Sequence, residues 1–316
     1  MSDPVQLTEL ITVRDFLRFA VSRFNSASLS YGHGTATALD EAAFLILETL
    51  HLPIGDLEPW LDARLTRAER TALANLIEKR VVTRKPASYI TGSAYLGPYR
   101  FVVDERVLVP RSFIAELLLD DALPIDGEVR SVLDLCTGSG CLAIVAAHMF
   151  PDATITAVDI SSDALAVAAE NVGKHRLGHR VALAQGDLFA GIADARYDLI
   201  ICNPPYVTTD VVANFPPEYR SEPVLAHLGG VDGMDLVRRV LDRAGRHLSD
   251  AGHLVMEVGS GRTTLQRDFP RLPFLWLDTE TSEGEVLLLP GAALQPVAVD
   301  KRQRIKQTVR SSKTSR

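Results

Sequence analysis

The apolar run from Tyr197 to Cys202 ends abruptly in Asn203, Pro204, Pro205 and Tyr206. Proline lacks a backbone N–H and disfavours helical backbone in the residue before it, so the tetrapeptide is a stiff, extended corner with unpaired carbonyls. Such a corner offers acceptors, either to water in a surface loop or to a substrate that carries N–H donors. A second candidate is Asp-Leu-Cys-Thr-Gly-Ser-Gly, residues 134–140, between a short apolar run and a helical one. Gly138 and Gly140 remove Cβ atoms there, which suits a tight strand-to-helix turn and equally a nucleotide-like ligand lying against the main chain. Asp159 closes the next apolar run about 20 residues on, where an acid can accept both hydroxyls of a ribose. Asp187 closes a third run and suits an adenine amino group. A dinucleotide fold also places an acid after its second strand, but the turn lacks the full G-x-G-x-x-G spacing and no pyrophosphate site is evident. An adenosyl ligand without phosphates is therefore favoured over NAD.

These residues need a scaffold that brings strand ends together. After about residue 130 the chain alternates strands and helices: "SVLDL", "TITAVDIS", "RVALAQGD", "YDLIICN", "GHLVMEVG" and "GEVLLLP" read as strands, most of them separated by helical segments. That order implies an α/β fold with a mostly parallel, doubly wound sheet, whose ligand crevice lies at the carboxyl ends of the strands. The first ninety residues read instead as helices. Val13, Phe16, Leu17, Ala20, Val21 and Phe24 share a face, and Thr12/Asp15 and Thr66/Glu69 have capping-box spacing. From "PASYITGSAYLGPYRFVVDERVLVPR" the period changes to two, with Gly97-Pro98 as a turn signal, which predicts a β-hairpin linking two domains. The expected division is a helical domain over 1–92, a hairpin linker over 93–111, a catalytic domain over 112–294 and a basic, disordered tail over 295–316.

Composition excludes several classes. No apolar run is long enough to span a membrane, and the N-terminus lacks a basic segment followed by an apolar one, so a cytoplasmic protein is expected. Cys136, Cys141 and Cys202 form neither an even disulfide set nor a zinc spacing, and the eight histidines are scattered, which predicts small buried thiols and no metal. The net charge is −7, yet residues 301–316 hold seven Lys/Arg and no acid, leaving −14 on residues 1–300. An acidic body is poorly suited to gripping duplex DNA. The tail reads as a solvated end or as a tether to an RNA-rich particle.

An adenosyl pocket combined with NPPY resembles the S-adenosylmethionine-dependent methyltransferases that act on planar amide or exocyclic amino nitrogens. The helical N-terminal domain, the hairpin and "EYRSEPVLAHLGGVDGMDLVRRVL" resemble the protein-glutamine branch almost to residue 290. "SRFNSASLSYGHGT" and "VPRSFIAELL" are more similar to enzymes modifying ribosomal protein L3 than to release-factor enzymes. Phe113 stands where the L3 branch commonly has proline.

The resemblance implies a Rossmann-like class I methyltransferase, expected to be a monomer. It assigns Asp134, Thr137, Gly138, Ser139, Gly140, Asp159, Ile160, Asp187, Leu188 and Asn203 to S-adenosyl-L-methionine. Asn203, Pro204, Pro205, Tyr206 and Arg111 fall to the substrate, with Asn203, Pro204 and Tyr206 at the chemistry. The Asn203 side-chain carbonyl and the Pro204 backbone carbonyl would accept the two N–H bonds of a glutamine amide, and Tyr206 would pack against its plane. Arg111 reads alternatively as a surface salt bridge. The implied partner is ribosomal protein L3 or the assembling large subunit, with rRNA contact through the tail. Alternatives are a release-factor enzyme, an adenine-amino methyltransferase, or a non-catalytic ribosome-assembly factor. The long loop 207–234 reads as a lid or binding surface, with Glu218, Glu222 and Asp232 either available for a basic ribosomal-protein segment or simply part of a solvated acidic loop.

Overall fold

The computed structural model describes residues 9–190, 192 and 194–295; the basic tail, apart from Gln295, lies outside them. Three helices open the chain: α1 (Val13–Ser26), α2 (Ala38–Thr49) and α3 (Arg67–Thr83). Both expected capping boxes form, Thr12 with Asp15 and Thr66 with Glu69, satisfying backbone donors that a helix start otherwise leaves unpaired. Phe16, Ala20 and Phe24 meet Leu45, Ile46, Leu73 and Ile77 in a core belonging to this helical unit. Arg80 is fully buried in it, paired with Glu41 at 2.9 and 3.1 Å, and the second guanidinium nitrogen also donates to Ser30 O.

The short helix α4 (Ala87–Thr91) departs from the sequence expectation, which read a strand-like period from Pro86 onward. Ala87 N donates to the buried Glu41 carboxylate at 3.0 Å, and Gly92 ends the turn in left-handed backbone, so tertiary partners outweigh the β-branched and aromatic composition. The hairpin is confined to β1 (Ser93–Leu96) and β2 (Tyr99–Val102), antiparallel about Gly97-Pro98.

After α5 (Phe113–Leu119) come β3 (Ser131–Leu135), α6 (Cys141–Met149), β4 (Thr154–Asp159), α7 (Ser162–Lys174), β5 (Val181–Gln185) and β6 (Tyr197–Cys202). Then follow α8 (Thr209–Ala213), α9 (Asp235–His247), β7 (Leu248–Glu257), α10 (Arg262–Asp268), β8 (Leu275–Leu277), β9 (Val286–Pro290) and α11 (Gly291–Leu294). The seven-stranded sheet has the order β5-β4-β3-β6-β7-β9-β8, with β3 to β7 parallel and β9 antiparallel to both neighbours. β8, whose three residues carry no clear alternation, was not read from the sequence. Apolar cores lie on both faces of the sheet, which is why strands such as β3 are apolar on both sides. The chain runs outward from β3 to β5, then returns to place β6 on the other side of β3. That reversal opens a crevice between the ends of β3 and β6, where the glycine turn and NPPY both emerge.

Candidate active site

The turn after β3 is built from strained backbone. Cys136 has φ +59°, Gly138 +55° and Gly140 +79°, and Thr137 N donates to Val158 O at 3.0 Å. The two glycines serve different purposes. A Cβ on Gly138 would meet nothing within 4 Å, since this residue borders a cavity, whereas one on Gly140 would approach Ala168 Cβ at 3.2 Å. Gly140 thus permits packing against α7 and is absent from the cavity wall, contrary to the expectation that both glycines face a ligand.

Asp159 ties the second strand end to the turn. Its Oδ2 accepts from Gly138 N at 2.8 Å and its Oδ1 from Ser161 N at 2.9 Å. Burial pushes this carboxyl up, and the backbone donors of Ser161, Gly138 and Ile160 oppose that shift. Asp134, fully buried beneath the turn, accepts from Thr137 Oγ1 and Ala143 N, while its Oδ1 has no partner. Burial pushes Asp134 up to about 7. Ser139 O receives Asn171 Nδ2 at 2.9 Å. Asp187 pairs with Arg239 at 2.7 Å, and Leu188 beside it has φ +55°.

A cavity of about 340 Å³ is lined by Gly138, Asp159, Ile160, Asp187, Leu188, Asn203 and Pro205, together with Leu225 and Leu228 from the 207–234 loop. Asp134, Thr137, Ser139 and Gly140 do not line it; they brace the turn from behind. The lining offers carboxylates without an amide-rich phosphate cradle, and its two cations, Arg106 and Arg239, are already paired with Asp104 and Asp187. A nucleoside with a neutral sugar fits that donor set.

A second cavity, about 550 Å³, is lined by Pro204, Tyr206, Arg111, Ser112, Phe113 and Glu257 among others. Asn203, Leu108 and Ala226 border both cavities, so the asparagine stands at their junction. Asn203 Nδ2 donates to Arg111 O at 3.5 Å. Among the described residues neither Asn203 Oδ1 nor Pro204 O accepts a hydrogen bond, so both acceptors remain available. Burial raises the Tyr206 phenol, which stays protonated.

Three expectations change. Arg111 is not a surface salt bridge: its guanidinium forks onto the buried Glu222 at 2.8 and 2.9 Å while lining the second cavity. Glu218 and Glu222 are buried and consumed internally, hence unavailable to a basic peptide. Glu218 takes Ser30 N at 3.1 Å and Arg84 at 2.6 Å. Asp232 is exposed but pairs with Arg238. The 207–234 loop is therefore anchored to the helical unit, with Val207 bridged to Leu228 across its base. His33 lies buried 3.5 Å from Glu222 Oε2, which His227 also approaches at 3.0 Å. Burial opposes ionisation of Glu222, yet His227, His33 and Arg111 together hold its carboxyl far below the usual range.

Sequence reasoning also missed Glu257, at the end of β7 beside β6. Its Oε1 accepts from Ser112 Oγ and from Ile114 N at 3.2 Å, capping α5, and burial pushes the group up to about 7. The signal was an acid closing the apolar run "HLVME". Phe113 occupies the first turn of α5, where proline would also fit.

The methyltransferase small domain family matches residues 114–215, which span the glycine turn, Asp159, Asp187 and NPPY. Fold and site thus define a methyltransferase. The ribosomal protein uL3 glutamine methyltransferase of Bradyrhizobium diazoefficiens is 54% identical over 296 residues, covering 90% of this chain and 92% of that relative. The enzymes of the same name from Burkholderia pseudomallei, 50% identical over 92% of this chain and 98% of the relative, and from Neisseria meningitidis, 51% identical over 89% and 93%, align as fully. The chain belongs to the ribosomal protein uL3 glutamine methyltransferase family.

Proposed function

We propose that this protein methylates the side-chain amide nitrogen of a glutamine in ribosomal protein uL3, with S-adenosylmethionine as the cofactor. The observation that carries the reading is Asn203 at the junction of two cavities, one fitted to a nucleoside and one open to a side chain, with its Oδ1 and the Pro204 carbonyl unused. The cofactor supplies an electrophilic methyl group when bound. Asp159 would hold its ribose, Asp187 and Leu188 its adenine edge, and Ile160 and Leu228 its apolar faces.

An amide nitrogen is a weak nucleophile because its lone pair is delocalised into the carbonyl. Two acceptors on its N–H bonds fix the nitrogen and stabilise positive charge as it develops there, so orientation takes the place of a strong base. Asn203 Oδ1 and Pro204 O supply those acceptors, and the Tyr206 ring excludes water from one side. The helical unit is the proposed recognition surface. A third cavity of about 310 Å³, between it and Ala94, Tyr95, Val109 and Pro110, shares Gly34, Tyr95 and Pro110 with the 550 Å³ cavity, which supports a continuous path for chain flanking the glutamine.

Mass spectrometry of ribosomal proteins from cells with and without the gene tests the proposal. A one-methyl increment on a uL3 glutamine that disappears with the gene is expected; an unchanged uL3 would overturn it.

A further inference from the structure

An asparagine amide has two ends of nearly equal shape and opposite hydrogen-bonding character, since Oδ1 accepts and Nδ2 donates. A substrate amide nitrogen offers only donors. If the Asn203 side chain were turned by half a rotation, donor would face donor and the acceptor would be lost. Placing an asparagine at the junction is therefore insufficient, and its orientation must also be set.

One carbonyl does this. Among the described residues the only acceptor for Asn203 Nδ2 is Arg111 O, at a long 3.5 Å. Arg111 sits in an irregular segment with no strand partner, so its carbonyl is positioned only by what grips its neighbours. Buried carboxylates grip both sides. Upstream, Glu222 Oε1 accepts from Val109 N at 3.0 Å and from Arg111 Nη1 at 2.8 Å, while Oε2 accepts from Nη2 at 2.9 Å. Downstream, Glu257 holds Ser112 Oγ and Ile114 N. Glu222 is itself wedged between His33 of the helical unit and His227 of the loop.

We infer that Glu222 is a positioning residue for methyl transfer: it fixes segment 109–112 so that the Arg111 carbonyl turns the Asn203 amide with Oδ1 toward the substrate nitrogen. The inference rests on the reading of Asn203 as an amide acceptor. A merely structural staple would slow the enzyme independently of Asn203, and a mutant cycle separates the two.

Methyl transfer from radiolabelled S-adenosylmethionine to purified uL3 is measured for wild type, E222Q, N203A and the double variant, with thermal melts and S-adenosylhomocysteine calorimetry on each. E222Q should lower kcat about 10-fold, with KM for uL3 and S-adenosylhomocysteine affinity within about twofold of wild type, and should slow N203A further by less than about twofold. Equal losses from E222Q in both backgrounds would overturn the inference, as would a wild-type rate for E222Q beside a slow N203A. A wild-type rate for N203A would instead overturn the reading of the site. Should E222Q fail to fold, Arg111→Met keeps the carbonyl and removes both guanidinium bonds to Glu222, leaving only Val109 N of the segment on that carboxylate, and the same cycle applies with the same criteria.

Discussion

Replacing Glu257 by Gln removes a buried charge while keeping the local geometry. Both hydrogen bonds described for this carboxyl, from Ser112 Oγ and Ile114 N, reach the same oxygen, Oε1, so an amide can retain them and place its NH2 where Oε2 was. The folded carboxyl is pushed up by burial from 4.5 to about 7. Between those values the folded state binds more protons than the unfolded chain, so unfolding free energy falls as pH rises through the window. At 1.36 kcal/mol per unit the full effect is about 3 kcal/mol, of which roughly 2.5 kcal/mol falls between about pH 5 and pH 8. Asp134, also pushed up to about 7, contributes a decline of the same sign that the substitution leaves in place. Urea unfolding across this range should show E257Q close to wild type near pH 5 and more stable by up to about 2.5 kcal/mol near pH 8. Parallel stability curves for the two proteins would refute the reasoning, because they would mean that Glu257 carries the same charge in both states.

Asn203→Ala should reduce methyl transfer to uL3 by about 10²-fold while S-adenosylhomocysteine affinity changes much less, as for loss of one preorganised contact; single-turnover kinetics check it. Asp159→Ala should weaken S-adenosylhomocysteine by about 1.5–3 kcal/mol in calorimetry, the scale of hydrogen bonds to a charged group. Gly138→Ala and Gly140→Ala share a left-handed backbone penalty of about 1–2 kcal/mol. They should differ otherwise: Gly140→Ala also crowds Ala168 and lowers the melting temperature further, whereas Gly138→Ala projects into the cavity and costs more cofactor affinity.

Features that depend on local order are legible before the fold is known. Alternating strands and helices imply a parallel sheet, and acids and glycines at strand ends must then gather at one edge of it, because every parallel strand points its carboxyl end the same way. NPPY was legible for a similar reason: two prolines stop a strand wherever they occur. Helix starts at Thr12 and Thr66 were legible because a capping box is a contact over three residues.

Tertiary structure alone decided the matters that join distant segments. It turned Ala87–Thr91 into a helix through Glu41, separated the roles of Gly138 and Gly140 through Ala168, and withdrew Glu218 and Glu222 from solvent. The two sides of Arg111 are held by carboxylates 111 and 145 residues away from their partners, Arg111 and Ser112. No spacing rule reveals such pairs, since the energy of a buried charge depends on which groups surround it after folding, and local order does not carry that information.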